Sequence, residues 1–158
     1  MISCSTCQTW SHVKCDLLLL DPVIKEQMMA TDSFFQYSCQ ACRKQGRLKF
    51  IYKIISELEA EDKNGYYADE FWLESDQFNA VQAKQYLRQI KNPVCFTVIK
   101  RRIDTYLLSP EKLKIDILQI FLNAKNYNRQ NTQIYKDADK MYAICLDKLT
   151  GFMPYLDK

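Results

Sequence analysis

Apolar residues recur at three- and four-residue spacing through much of the chain beyond residue 45, the mark of amphipathic helices. Leu48, Ile51, Ile55 and Leu58 form the first such stripe. From about residue 64 to residue 92 the pattern lapses into a polar, aromatic stretch with few regular features. Pro93 suits the first turn of a new helix that carries Val94, Val98 and Ile99 inward. Ser109 and Pro110 read as an N-cap and first-turn pair. Behind them, Leu113, Ile117, Ile120, Phe121 and Ala124 make the stripe of a third helix. After a polar loop, Ile134, Ala138, Met141, Tyr142, Cys145 and Leu149 predict a last helix, with Gly151 as its C-cap. Four helices with a long, irregular first connection predict a mainly α fold, a small bundle. Neither an internal repeat nor a low-complexity segment interrupts it.

Composition narrows the class. A chain of 158 residues with 47% hydrophobic content can bury one good core and a small satellite module. Only three glycines and four prolines argue against a turn-rich all-β protein and against a disordered one. The longest purely apolar run, Leu17 to Leu20, falls far short of the roughly 20 residues that span a bilayer, so no membrane is expected. No basic segment followed by an apolar one opens the chain, which argues against a secretory signal.

The net charge of +3 decides little, but its distribution is uneven. Glu57, Glu59, Glu61, Asp62, Asp69, Glu70, Glu74 and Asp76 crowd one stretch; Lys84, Arg88, Lys91, Lys100, Arg101 and Arg102 crowd the next. The basic run is a candidate contact for nucleic acid. The plainer reading is a solvated helix face.

Cysteine use divides the sequence. Five of the seven cysteines precede Arg43, while Cys95 and Cys145 sit within apolar patterns as small core residues. In a reducing compartment, paired cysteines are metal ligands before they are disulfides, and an odd count fits the metal reading better. Structural zinc takes four tetrahedral Cys or His ligands, often from Cys-x-x-Cys knuckles. Cys4 with Cys7 and Cys39 with Cys42 form two knuckles and together one complete site. His12 and Cys15, in WSHVKC, form a third pair with no partner pair in the chain.

This layout resembles the second half of a PHD finger, in which alternating ligand pairs bind two zincs. The match includes Trp10, two residues before the His, and Tyr37, two residues before the last knuckle. The family's usual first Cys-x-x-Cys has no counterpart in the sequence. The resemblance implies one full zinc site and half of a second. Trp10 matches a position where many such fingers place one wall of a methyl-lysine cage. With the other walls missing, local packing or partial exposure is the expectation for it.

From about residue 47 to residue 150 the sequence resembles a bromodomain. The family's order of Tyr, Ile and Pro-Met-Asp stands as Tyr86, Ile90 and Pro93-Val94-Cys95. Its Tyr-Asn pair, in NAKNYN, is Tyr127-Asn128, and a gatekeeper six positions on is Ile134. The family's Trp-Pro-Phe shelf has no literal match; DEFWLES offers Phe71 and Trp72 there, and Phe78 stands for an apolar loop residue lining the pocket. The resemblance implies a four-helix bromodomain bundle with a small, truncated zinc module before it. It also implies acetyl-lysine binding. The acetyl carbonyl would accept from the Asn128 amide, and Tyr86 would hold a bridging water. Tyr127, Ile134, Val94, Phe78, Phe71, Trp72 and Ile90 would shape the slot.

The expected organisation is a partial finger over 1–45, a bromodomain over 46–152 and a tail over 153–158. The expected function is a nuclear chromatin reader of acetylated histone tails, part of a larger chromatin-modifying or transcription-regulating protein and in contact with other subunits of its complex. Zn2+ is the expected cofactor. The acidic run would favour the approach of basic histones. The alternatives are a RING-like ubiquitin-ligase fragment and a structural bundle without ligand. A single His, with neither a nucleophile elbow nor a phosphate loop, offers no catalysis.

Overall fold

The computed structural model describes residues 1–30, 36–70, 72 and 77–156, without the side chains of 77–79. The chain divides into two compact units, Met1–Arg47 and Leu48–Lys158.

In the first unit, strands β1 (Ile2–Ser3) and β2 (Trp10–Ser11) pair antiparallel, with Ile2 opposite Ser11 and Ser3 opposite Trp10. The tight reversal between them puts Gln8 at φ 61, and Gln8 donates its N–H to the Cys4 carbonyl at 2.8 Å. Two short 3₁₀ turns follow, Val13–Cys15 and Leu17–Leu20. Asp16 caps the second by accepting from the Leu18 N–H at 3.1 Å. Helix α1 (Pro22–Met29) begins as its residues dictate: Asp21 Oδ1 accepts from Val23 and Ile24, and Pro22 occupies the first turn. The core is tiny: Cys4, Leu19, Tyr37 and Cys39, with Ile2, Val13, Ile24, Met28 and Cys42 packed around them. Among the described residues this unit buries little apolar surface.

Helix α2 (Gln40–Glu59) starts eight residues ahead of the stripe that predicts it. In the second unit it buries Ile51, Ile54, Ile55 and Leu58. Helix α3 (Gln77–Gln89) lies within the stretch expected to be irregular. Among its described side chains the inward positions are few, Ala83 and Tyr86, while Val81 and Leu87 face solvent and blur the period. Helix α4 (Phe96–Arg101) begins three residues after Pro93 rather than at it. Its leading N–H groups, those of Phe96 and Thr97, donate to the carbonyls of Tyr67 and Ala68 at 3.0 Å each. That loop satisfies the donors a helix start leaves open, so the helix forms where the loop is. Val94, Val98 and Ile99 are nevertheless buried.

Arg102 separates α4 from α5 (Ile103–Leu108). Helix α6 (Pro110–Tyr127) follows Ser109 and Pro110 as expected, although the Ser109 hydroxyl makes no capping bond. Helix α7 (Gln133–Leu156) packs more extensively on α6 than on any other helix. It runs through Gly151 instead of ending there. Leu149, Phe152, Met153 and Leu156 continue the apolar stripe; Leu156 is fully buried, and Phe152 meets Phe50 edge-on at 6.2 Å. That packing outweighs the C-capping preference of glycine, whose φ here is not in the left-handed region.

Inside this unit Asp116 is buried, and its carboxylate accepts from Tyr106 at 3.0 Å, Lys112 at 3.3 Å and Arg102 at 3.5 Å. No helix among the described residues is long and apolar enough to cross a membrane.

Candidate functional site

A cleft of about 500 Å³ opens in the second unit between the middle of α3, the end of α6 and the start of α7. Tyr127, Asn128 and Ala124 contribute from α6, Ile134 from α7, and Gln82, Gln85 and Tyr86 from α3; Tyr66 enters from the loop after α2. Gln89 Nε2 donates to the Asn126 carbonyl at 2.6 Å and ties the end of α3 to the end of α6.

Asn128 is the C-cap of α6, in extended backbone. Its N–H and its Nδ2 both donate to the Ala124 carbonyl, at 3.0 and 2.8 Å. A side-chain amide carries two N–H donors and one acceptor oxygen. With one donor fixed on the helix end, the amide plane is set and a second donor remains for the cleft.

Tyr86 is almost wholly buried. The Trp72 indole stacks on it at 5.7 Å and 12°, and Tyr127 meets it edge-on at 5.0 Å. Burial pushes its phenol up to about 12, against the opposing effect of a hydrogen bond from Asn123. The hydroxyl is therefore a neutral donor across the physiological range. Asn123 is buried as well; it accepts from Gln119 Nε2 at 2.7 Å and donates to the Asn92 carbonyl at 2.8 Å.

Of the pocket residues expected from the sequence, Asn128, Tyr86, Tyr127 and Ile134 converge on this cleft. Trp72 does not line it. Trp72 stands behind Tyr86 and lines a separate, shallower depression with Glu70, Pro93, Val98, Arg101 and Arg102. Ile90 and Val94 are buried in the core rather than lining the cleft. Phe71 and the side chain of Phe78 lie outside the described residues. Tyr66, Gln82 and Gln85 were not anticipated. Gln82 and Gln85 share a helical turn with Tyr86, a signal that appears only once α3 is known to be a helix.

Two ion pairs join the charge runs, and other members are held elsewhere. Lys100 pairs with Glu59, Arg101 with Glu70 and Lys148 with Glu61, while Arg102 reaches Asp116 at 3.5 Å. Asp62 is spent on the N–H groups of Tyr66 and Tyr67. Neither a free basic face nor a free acidic one survives intact at these residues.

In the first unit the sulfurs of Cys4, Cys7, Cys39 and Cys42 all lie within 4.8 Å of one another. A tetrahedral ion with zinc–sulfur bonds of about 2.3 Å places its sulfurs about 3.8 Å apart. Cys7 and Cys39 stand at 3.7 Å. The Cys39 N–H donates to Cys4 Sγ at 3.2 Å and holds the Cys4 thiol down to about 5. A hydrogen bond with Thr9 lowers Cys7, whereas hydrogen bonds with Cys7 and Cys39 push Cys42 up to about 12. The donor set thus fits a thiophilic, tetrahedral divalent ion, which would take up all four sulfurs as thiolates.

His12 and Cys15 are exposed at the two ends of one short turn and join no group of three potential ligands among the described residues. Trp10 is 65% exposed on β2. Behind the last knuckle, the buried Asp16 accepts from Tyr37 at 2.7 Å and from Arg43. Burial raises the Asp16 carboxyl, but the bonds from Arg43 and Tyr37 outweigh it and hold the group below the usual carboxylate range.

Comparison with known proteins agrees with the helical bundle. The chain is 34% identical over 92 residues to the chromatin structure-remodeling complex subunit snf21 of Schizosaccharomyces pombe, covering 58% of this chain and 7% of that one. It is 39% identical over 75 residues to the chromatin structure-remodeling complex subunit RSC2 of Saccharomyces cerevisiae, 45% of this chain and 8% of that one. The chain therefore spans less than a tenth of either relative's length. The Bromodomain family profile matches residues 51–140, which hold α3 to α6, the C-terminal part of α2 and every side chain described around the cleft; the chain belongs to the bromodomain family.

Proposed function

We propose that the chain is a nuclear chromatin reader that binds acetyl-lysine on histone tails, and that it belongs to a larger protein working with other subunits of a chromatin complex. The observation that carries this reading is the Asn128 amide, oriented by its bond to Ala124 and lining a cleft with Tyr86, Tyr127 and Ile134. An acetylated lysine presents a neutral amide whose carbonyl needs a donor once it leaves water. Asn128 supplies the donor, and Tyr86 holds a water on the same oxygen. An unmodified ammonium would enter this neutral slot at a desolvation cost that the slot does not offset. The remodeling-complex relatives support a chromatin setting. The bromodomain family match supports a reader role rather than a catalytic one.

The same reading makes residues 1–45 the second half of a PHD-type finger. Cys4, Cys7, Cys39 and Cys42 would hold one Zn2+, with His12 and Cys15 left as half of a second site. The bromodomain then occupies 46–152, with α7 carrying the bundle on to Leu156 into the stretch expected to be a tail.

Titration of acetylated and unacetylated histone-tail peptides decides between reader and bare bundle. Wild type should prefer the acetylated peptide. Asn128→Ala should lose about 1–3 kcal/mol, roughly tenfold to a hundredfold in affinity. Tyr86→Phe should lose less, because the bridging water keeps other partners. Equal binding of both peptides by wild type, or undiminished binding by Asn128→Ala, would leave a structural bundle.

A further inference from the structure

The two lips of the cleft come from distant parts of the chain. Tyr66 stands on the loop after α2, and Ile134 sits in the first turn of α7. One residue joins them. The Tyr67 hydroxyl lies 3.2 Å from Asp137 Oδ2 and 3.4 Å from the Ile134 carbonyl, and donates between the two. Its N–H donates to Asp62 Oδ2 at 2.8 Å, and its carbonyl accepts from Phe96. Its ring is 5% exposed and meets Phe121 of α6 edge-on at 5.1 Å.

Every polar atom of Tyr67 is thus bonded, and the residue fastens the loop to α4, α6 and α7 at once. Tyr66 is held at the same point: Asp62 Oδ1 accepts its N–H at 3.1 Å, and its ring rests edge-on against Tyr67 at 6.2 Å. Tyr67 itself does not line the cleft.

We propose that Tyr67 is a positioning residue that sets the separation of the lips Tyr66 and Ile134, and so fixes how firmly the cleft grips the methylene stem of an inserted acyl-lysine. The inference rests on the acetyl-lysine reading above. An apolar stem is held by many small contacts, and a gap of 0.5–1 Å forfeits about a quarter to a half of each. The bond from Tyr67 to α7 spans the two lips and keeps that gap closed. The amide end of the ligand lies deeper, against Asn128, where Tyr67 has no part.

Two probes separate the floor from the lips. N-methylacetamide reaches only the floor, whereas an Nε-acetyl-lysine histone-tail peptide also fills the mouth. Both are titrated by NMR into wild type, Tyr67→Phe, Asp137→Ala and Asp137→Asn. Tyr67→Phe should weaken the peptide about fivefold and leave N-methylacetamide within about twofold. Asp137→Ala should weaken the peptide in the same direction but less, since the Ile134 carbonyl remains. Asp137→Asn keeps an acceptor oxygen and should bind like wild type. Equal weakening of both probes would mark a general loosening of the fold, and an unchanged peptide affinity would mean the lips are set elsewhere. Either result overturns the proposal while the reader function stands. If wild type binds neither probe, the reader function falls and this inference with it. Should Tyr67→Phe fail to fold, the two Asp137 variants carry the decision alone.

Discussion

Asp16 and Arg43 lie 27 residues apart in sequence and meet through two hydrogen bonds, Nη2 to Oδ1 at 2.7 Å and to Oδ2 at 3.0 Å. Arg43 directly follows the last cysteine of the second knuckle, and Asp16 directly follows Cys15. The same guanidinium also bonds the Ser38 carbonyl, just ahead of Cys39. A buried carboxylate thereby anchors the backbone on both sides of the Cys39–Cys42 pair. Arg43→Ala would leave that carboxylate with Tyr37 and Leu18 alone and should destabilise the first unit by about 2 kcal/mol. Zinc loaded into the full-length variant should pass to a chromophoric chelator measurably faster than from wild type. An unchanged transfer rate would mean the pair contributes nothing to the metal site.

Metal content follows from the ligand geometry. The four-sulfur cluster should retain one zinc per chain after mild chelation, and Cys4→Ser should abolish it. His12→Ala should leave the count at one. Elemental analysis settles the matter, and two firmly held zincs in wild type would contradict the geometry.

Three phenols of the bundle should resist ionisation. Burial raises Tyr67, Tyr86 and Tyr106 above the ordinary tyrosine value near 10, Tyr86 to about 12. A group whose folded pKa is raised contributes stability that is whole below the unfolded value and is lost as pH climbs through the folded one. The tyrosine contribution to the bundle's stability should therefore hold steady from neutral pH to about 10 and weaken above it. Ultraviolet titration should show these three and the buried Tyr37 of the first unit ionising late among the ten tyrosines, and all ten together in denaturant. Ten equivalent phenols in the native protein would count against this core.

Residues beyond Gly151 belong to the bundle. Deleting 152–158 removes the buried Leu156 and the Phe152 ring packed on Phe50. The loss should be about 3–5 kcal/mol, seen as a lower urea midpoint for the helical signal. An unchanged midpoint would make this segment the dispensable tail that glycine at 151 suggests.

These residues also show what sequence can reveal. Helix α6 was legible throughout because Leu113, Ile117, Ile120 and Phe121 all face the core at helical spacing. Helix α3 was not, because among its described side chains only Ala83 and Tyr86 are buried, which leaves hardly any period to read. The two ends of the cleft follow the same rule. Tyr86, Tyr127, Asn128 and Ile134 sit in or beside regular helices, where a motif's spacing fixes its geometry. Trp72 sits on a loop whose path is set by tertiary bonds such as Phe96 to Tyr67, which no local spacing encodes. A tryptophan in the right stretch of sequence could thus turn inward behind Tyr86, while Tyr66 took the cleft side.

The placement of the two tryptophans has a spectroscopic consequence. Trp10 is 65% exposed in the first unit, and Trp72 is 8% exposed and stacked on Tyr86 in the second. An indole in water emits further to the red than one enclosed by apolar groups. Each unit therefore carries its own fluorophore, of a different colour. Replacing either indole by phenylalanine leaves a single-tryptophan chain in which stripping the metal and melting the bundle can be followed as separate optical events.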